Sequence, residues 1–235
     1  MSLVAVVGAR SAGTTTTAVA LAAAWPGGRA VVAECDPDGG CLALAAELPA
    51  DPGLASLAVA ARPGMTAGLL TAQLQRLGGG PPVLVGPPGP DQAAQAVAAT
   101  AALLPQLAYA DGWVCVADCG RLRRGSPAGQ LLGAADAVVL VVEPTSEGVG
   151  HAKARLAAVP LNPDRTAVLV IGARPYSLGE VAAELGLAQL GMLPAHRQSA
   201  EELREGRAGR RNPLVRAAGP ISAAIAEHLR VRSAA

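Results

Sequence analysis

Short apolar runs alternate with longer Ala- and Leu-rich segments along most of the chain. Several of the short runs are almost continuously apolar, as expected for strands that are covered on both faces of a sheet. The runs that predict strands are residues 3–7, 30–34, 82–85, 112–118, 137–143, 166–171 and 189–192.

The longer segments between these runs have the length and composition of helices. They are residues 16–25, 41–48, 53–61, 66–77, 91–107, 128–134, 147–159, 178–185, 197–204 and 213–229. Strands that alternate with helices predict an α/β fold, with one doubly wound, mostly parallel sheet and helices on both of its faces. The Gly/Pro clusters at 78–82 and 86–90 are interpreted as turns around a strand, so residues 1–235 are predicted to form a single domain.

Composition narrows the class of protein. Hydrophobic residues make up 51% of the chain and charged residues 16%, which is typical of a globular protein. The net charge of +1 gives no global field that would favour nucleic acid or membrane. No apolar run approaches the roughly 20 residues that span a bilayer, and no signal peptide is recognised, so a cytoplasmic location is expected. The four cysteines lack metal or disulfide spacing and are interpreted as small buried hydrophobic residues.

The segment GARSAGTTTT, residues 8–17, lies between the first predicted strand and the first predicted helix. This is the position of a phosphate-binding P-loop, whose pattern is G-x-x-x-x-G-K-[ST]. Gly8, Gly13 and Thr15 fit the pattern, but Thr14 stands at the lysine position, and the single lysine of the chain is the distant Lys153. Backbone N–H groups could still bind phosphate there. The alternative is a tight strand-to-helix turn with Thr15 as its cap.

Two aspartates follow strands that should end at the same edge of the sheet, where ligands bind in doubly wound folds. Asp36, in ECDPDGG, could orient a water or hold a metal-bound one, although Asp-Pro-Asp-Gly is also a common turn. Asp118 suits a second-shell Mg²⁺ carboxylate, and Thr15 could offer its hydroxyl to the ion. Arg10 or the arginines of RLRR, residues 121–124, could supply the missing charge, but a solvated basic turn is the favoured interpretation for the latter.

Taken together, these segments resemble the ParA/MinD family of P-loop ATPases, in the SIMIBI class, over nearly the whole chain. Residues 12–24 look like the family's G-K-T-T-T-A-x-N-L-A segment and residues 34–39 like its D-x-D-P-x-G. Residues 113–118 look like its Walker B strand. The remaining similarity is in residues 135–149 and in the late strand with its Pro-containing loop, residues 190–197.

The resemblance implies ATP or ADP with Mg²⁺ in this loop, and a homodimer that forms across the nucleotide. Thr15 would bind Mg²⁺, Asp118 would match the Walker B carboxylate, and Asp36 would support hydrolysis. The residues that would line the nucleotide are Gly8, Ala9, Arg10, Ser11, Ala12, Gly13, Thr14, Thr15, Thr16 and Pro194.

The sequence departs from the family at the residues that carry charge or read the base. Ala9 replaces a signature lysine that reaches across the dimer, and Thr14 replaces the general lysine. Glu34 replaces the first aspartate of D-x-D-P, and Gly172 and Ala173 stand where an asparagine commonly reads adenine. Each lysine contact is worth roughly 1.5–3 kcal/mol. Nucleotide binding is therefore expected to be weak or absent, and efficient hydrolysis is not expected.

Three functions remain open. The first is a degenerate ParA/MinD-like positioning, scaffold or regulatory factor, related to the CpaE/TadZ group that localises pilus machinery, with an unknown protein partner. The second is an active ATPase in chromosome or plasmid partition or division-site positioning that uses arginines in place of lysines. The third is a binding module for another anionic ligand.

Two features bear on partners. Five arginines near the C-terminus could contact DNA phosphates, although interspersed glutamates favour a solvated loop. They are Arg204, Arg207, Arg210, Arg211 and Arg216. The segment 220–232 has apolar residues at helical spacing without a wide basic face, so it is predicted to pack on the core and not to bind membrane directly.

Overall fold

The computed structural model describes residues 3–10, 13–60, 68–209 and 211–234. Its strands are β1 (Leu3–Gly8), β2 (Ala30–Glu34), β3 (Gln75–Arg76), β4 (Pro82–Leu84), β5 (Val114–Arg121), β6 (Ala137–Val142), β7 (Thr166–Ile171) and β8 (Ala188–Leu193). Within the described residues they form one eight-stranded sheet in the order β3-β4-β2-β5-β1-β6-β7-β8. Every pairing is parallel except that of β3 with β4. The predicted α/β fold, of the P-loop NTPase type, is confirmed.

Helices connect these strands on both faces of the sheet. They are α1 (Thr14–Ala23), α2 (Leu42–Ala45), α3 (Leu54–Ala60), α4 (Leu69–Ala72), α5 (Pro90–Thr100), α6 (Leu104–Ala110), α7 (Gly129–Ala134), α8 (Ser146–Ala158), α9 (Leu178–Leu185), α10 (Arg197–Arg204) and α11 (Pro213–Ala234). None of the helices in the described part of the chain combines the length and apolar character that crossing a bilayer requires.

Strand β1 shows how the sequence builds two cores. Its residues are all buried, and successive side chains point to opposite faces of the sheet. Leu3, Ala5 and Val7 join the apolar layer that contains α3 to α9. Val4 and Val6 join the layer that contains α1, α2, α10 and α11. This two-sided burial explains why the central strands are apolar without alternation.

Two predicted helices differ from the structure. The predicted helix 66–77 survives only as α4; residues 61–67 are outside the described residues, and β3 follows as a short antiparallel edge strand. The predicted helix 91–107 is two helices, because Pro105 lacks an N–H and occupies the first turn of a new helix, α6. The predicted packing of the last helix is correct, since Ile221, Ile225 and Leu229 are buried.

Candidate functional site

The loop after β1 closes over a glycine. A Cβ on Gly8 would lie 2.6 Å from both the Arg10 carbonyl oxygen and the Thr14 Oγ1, so no larger residue fits. Gly13 has φ 78°, a left-handed conformation that favours glycine, and it precedes α1. No side chain caps α1, and its first turn holds no acidic residue. The positive end of the helix is therefore open to an anion. Ser11 and Ala12 lie outside the described residues.

The threonines of α1 take different positions. Thr14, at the lysine position of the pattern, is buried over Gly8, and Thr15 is half-buried. Thr16 is buried, and its Oγ1 accepts a hydrogen bond from Arg204 Nη1 at 3.0 Å. We call residues 8–17, as far as they are described, the loop wall of the site. It combines backbone donors and hydroxyl groups, and its one basic residue is Arg10.

Three neighbouring carboxylates lie opposite the loop wall, and we call them the carboxylate wall: Glu34, Asp36 and Asp118. Asp36 lines the cavity, and Glu34 and Asp118 are buried beneath it. Glu34 ends β2 and is buried, and it is held by backbone donors. Its Oε1 accepts from the N–H groups of Cys41 (2.8 Å) and Leu42 (2.9 Å), and its Oε2 accepts from Gly86 (3.0 Å). Burial raises the pKa of Glu34, and these three hydrogen bonds oppose that rise. Glu34 thus ties the end of β2 to two loops, a role that the sequence analysis did not predict.

Asp118 lies inside a strand. The sequence predicted that the strand ends at this residue, but β5 continues to Arg121, and Asp118 pairs in register with Val6 of β1 and Glu34 of β2. Its Oδ1 accepts from the Gly120 N–H at 3.1 Å. Burial raises the pKa of Asp118 to about 7, and a hydrogen bond with the Thr15 side chain opposes the rise.

Asp36 lies nearer the surface. Its Oδ1 accepts from the Asp38 N–H at 2.9 Å, and its carboxyl group packs so closely on Gly120 that a Cβ there would collide with it. Burial raises the pKa of Asp36, while the Asp38 hydrogen bond and the charges of Arg123 and Arg121 lower it. The Asp-Pro-Asp-Gly segment is therefore a turn, as the simpler interpretation held, but a turn that places a carboxylate beside α1.

The two walls enclose a cavity of about 260 Å³. It is lined by Arg10, Gly13, Thr14, Thr15, Thr16, Asp36, Asp38, Cys41, Gly120, Arg121 and Arg204. Asp118 lies beneath this surface, beside Thr15. Ala9 is buried in the apolar layer that contains α3 to α9. No group of three or more acidic, His or Cys side chains in the described residues could hold a metal alone. A Mg²⁺ here would need phosphate oxygens and water in addition to Thr15, which is the usual arrangement for this ion.

A second cavity, of about 620 Å³, adjoins the start of α1. Pro194 lines it together with Ile171, Leu193 and His196, so the late strand and its loop lie beside the loop wall. Thr17 also lines it, and the Thr17 Oγ1 is buried without a hydrogen-bond partner among the described residues. The size and the mixed lining suit a nucleoside.

The arginines do not act as one group. Arg10 forms an ion pair with Glu147 of α8, and Arg123 pairs with Asp38 at 2.8 Å. Arg204, expected among possible DNA contacts, instead lines the cavity between the walls. Arg207 pairs with Glu205, whereas Arg211 and Arg216 are exposed and Arg210 is outside the described residues. The sequence placed Arg204 at the end of a predicted helix, but it did not indicate that the side chain lies in the cavity.

The cysteines fall into two classes. Cys35, Cys115 and Cys119 are buried in the apolar layer, as predicted. Cys41 is exposed and lines the cavity, so the interpretation as a buried hydrophobic residue is wrong for this position. Although the residue is exposed, its sulfur is partly enclosed by the cavity. This enclosure and the carboxylates of Glu34 and Asp118 raise the pKa of the Cys41 thiol to about 11, which favours the protonated thiol near neutral pH.

The sequence matches no protein-family model and no curated protein. Solved structures do share its fold. A ParA family ATPase from Chlorobium tepidum TLS superposes with a TM-score of 0.73 at 14% identity, over 94% of this chain and 98% of the other. The septum site-determining protein MinD from Pyrococcus horikoshii OT3, complexed with Mg-ADP, gives a TM-score of 0.70 at 14% identity, over 97% of each chain.

A third similar structure is a cobyrinic acid a,c-diamide synthase from Mycobacterium smegmatis with bound ATP analogue and magnesium. Its TM-score is 0.62 at 20% identity, over 98% of this chain and 96% of the other. At such identities the likeness shows a common fold, the ParA/MinD-like P-loop fold. It leaves the activity of this chain to its own residues.

Proposed function

We propose that this chain is a ParA/MinD-like positioning, scaffold or regulatory factor that binds ATP or ADP with Mg²⁺ weakly and hydrolyses ATP slowly or not at all. One observation carries the proposal. The cavity between the loop wall and the carboxylate wall keeps the glycines, Thr15 and Asp36 of a nucleotide site, while a buried threonine, Thr14, replaces the lysine.

Binding is supported by groups that do not depend on the lysine. The open N-terminus of α1 offers backbone donors and a positive helix end to phosphate. Thr15 and, behind it, Asp118 suit a Mg²⁺ that is shared with phosphate oxygens. The adjoining cavity beside Pro194 has room for the nucleoside. Solved structures with this fold hold Mg-ADP or an ATP analogue with magnesium.

Slow hydrolysis follows from what the loop wall lacks. Charge builds up on the phosphate oxygens during transfer, and preorganised cations lower the barrier most. Removing one such donor typically costs about 10²–10³-fold in rate. Asp36 remains in the cavity to orient a water, but Arg10, the basic residue of the loop wall, is engaged with Glu147. A nucleotide that is held and scarcely turned over fits a factor whose output is an interaction and not a reaction.

The partners belong to the same proposal. We expect a homodimer, and beyond it an unidentified protein partner; localisation of a pilus or secretion machine is one such role by analogy with the CpaE/TadZ group. Ala9, at the signature-lysine position, is buried in the apolar layer and has no charge to extend to a second subunit. Dimerisation should therefore depend little on ATP. Non-specific DNA binding and direct membrane binding are not part of the proposal.

The decisive experiment is a titration of the purified protein with fluorescent ATP and ADP, with and without Mg²⁺, together with a turnover assay and light scattering. We expect micromolar or weaker Mg²⁺-dependent binding, little phosphate release and one oligomeric state throughout. Sub-micromolar binding with steady turnover would favour the alternative, an active partition or positioning ATPase. Binding of inorganic polyanions but of no nucleotide would favour a module for another anionic ligand.

A further inference from the structure

The guanidinium group of Arg204 occupies a place that no sequence pattern marks. Arg204 is the last residue of α10, and its Nη1 donates to Thr16 Oγ1 in the first turn of α1 at 3.0 Å. Its side chain lines the same cavity as Thr14, Thr15 and Asp36. The contact therefore brings a permanent positive charge from a distant part of the chain to the open end of the P-loop helix.

The fold sets this position. Leu203, the preceding residue, is buried in the apolar layer that also contains α1, which holds the last turn of α10 against the site. A cation in the last turn of a helix is favoured by the negative helix end, so α10 tolerates Arg204 there. The side chain is half-buried, and the hydrogen bond with Thr16 fixes one edge of the guanidinium.

Arg204 has no direct ion-pair partner in the described part of the chain, and Glu201 of α10 acts on its charge only from beyond ion-pair distance. Among residues 3–10, 13–60, 68–209 and 211–234, no carboxylate lies within ion-pair distance of it. Arg10 and Arg123, which lie around the same site, are each paired with a carboxylate. Arg121 also lines the cavity without an ion pair, but it is exposed and its charge acts on Asp36, whereas Arg204 is half-buried and bonded to α1. Arg204 also contacts the first turn of α1, so its charge adds to that of the positive helix end.

We propose that Arg204 is the phosphate-binding cation of this site and that it supplies, from α10, the charge that the loop lacks at Thr14. The ligand class is a polyphosphate, as carried by a nucleoside di- or triphosphate. This inference rests on the proposed nucleotide site and adds to it a binding residue outside the loop. A guanidinium has five N–H donors, so Arg204 can keep its bond to Thr16 and still present an edge to phosphate oxygens.

The test uses three variants of the full chain and one matched control. Arg204→Gln keeps a donor for Thr16 but removes the charge, Arg204→Ala removes both, and Arg204→Lys keeps the charge. Arg207→Ala is the control, because Arg207 is exposed and paired with Glu205 a few residues away. Each protein is titrated with Mg-ATP, Mg-ADP and tripolyphosphate by calorimetry, after thermal unfolding has shown that it is folded.

We expect Arg204→Gln and Arg204→Ala to weaken binding of ATP and tripolyphosphate about 10- to 100-fold, as for loss of a charge-assisted contact. Arg204→Lys should lose less, and Arg207→Ala should stay within about twofold of the wild type. Adding Thr14→Lys to Arg204→Gln should restore most of the lost affinity, because the two cations serve the same phosphates.

The outcomes separate this inference from the proposed function. If the wild type binds nucleotide and Arg204→Gln binds it equally well, Arg204 has only a structural role and the inference is overturned alone. If the wild type binds tripolyphosphate but not nucleotide, and Arg204→Gln weakens that binding, the role of Arg204 is supported and the ligand class of the proposed function is wrong. If the wild type binds no polyphosphate at all, both fail.

Discussion

The loop wall and the carboxylate wall meet at one edge of the same sheet, yet they are held in opposite ways. The loop wall depends on backbone conformation: Gly8 has no space for a Cβ, and Gly13 is left-handed. Its side chains are short and uncharged apart from Arg10. The carboxylate wall depends on side chains, since Glu34 alone accepts three backbone hydrogen bonds from two loops.

This difference shows which residues a fold retains for its own stability. Thr14 packs over Gly8 and carries no charge. The conformation of the loop therefore does not require a lysine at this position. Glu34 cannot be lost so easily, because three buried donors would lose their acceptor. Asp118 is a third case. Burial raises its pKa to about 7, so the ionised carboxylate lowers the stability of the folded protein relative to the protonated form.

The largest effect should come from Glu34→Ala. It leaves the N–H groups of Cys41, Leu42 and Gly86 without their acceptor in a buried site. We expect the free energy of unfolding, measured by urea denaturation, to fall by about 3–5 kcal/mol. Glu201→Gln, which removes only the exposed pair with Arg197, should cause no measurable change. A Glu34→Ala protein as stable as the wild type would mean that the carboxylate wall is not held by this residue.

The next effect separates Asp118 from Glu34. Because its folded-state pKa is raised, Asp118 binds more protons in the folded than in the unfolded protein between about pH 4 and pH 7. Its contribution to stability therefore falls as pH rises through that window. Asp118→Asn keeps the acceptor for the Gly120 N–H and removes the charge, so it should stabilise the protein at pH 8 by about 2–4 kcal/mol.

The measurement is urea unfolding of Asp118→Asn and wild type at several pH values. The difference between them should shrink towards zero near pH 4. Mg-ATP at pH 8 should stabilise the wild type more than the variant, since an ion beside Thr15 favours the ionised carboxylate. A variant that is less stable than the wild type at pH 8 would show that Asp118 is structural, like Glu34.

Much of this architecture could be predicted from the sequence, because the central strands are apolar on both faces and the glycine loop has a fixed place between a strand and a helix. Those patterns predict the helices on both faces of the sheet, the glycine loop after the first strand and the position of Asp36 after the second strand. The extension of β5 beyond Asp118 could not be predicted, since it depends on Gly120 adopting φ 62° at a position where Asp36 packs. Local sequence pattern carries no information on such a contact between the loop after β2 and strand β5.

The same limit applies to the charges. Sequence shows that Arg10, Arg123 and Arg204 exist but not which carboxylate, if any, each one meets. Arg204 is far from the loop in sequence and reaches it only because α10 packs beside α1. The Glu34 carboxylate and its backbone donors likewise come from three separate segments, namely the end of β2, residues 41–42 and Gly86. Pairings of this kind are tertiary properties, so the sequence predicted no hydrogen-bond or ion-pair partner for any of these residues.

A smaller change should come from restoring charge to the loop wall. Thr14→Lys places an ammonium group at the open end of α1 and should tighten Mg-ATP binding about tenfold or more in the same titration. Ala9→Lys is its contrast: Ala9 is buried in the apolar layer, so a lysine there should destabilise the protein and not improve binding. If Thr14→Lys brings no gain, the loop wall has lost more than its charge.

The smallest effect is expected for Arg10→Ala. Arg10 belongs to the loop wall and lines the cavity, so its position alone would suggest that it replaces the missing lysine. Its guanidinium is engaged with Glu147 at the start of α8, and that carboxylate offsets the charge that Arg10 could offer to phosphate. We expect the affinity for Mg-ATP to change by less than about threefold. A loss as large as that expected for Arg204→Gln would mean that Arg10 leaves Glu147 when phosphate binds, and that the loop wall supplies its own cation after all.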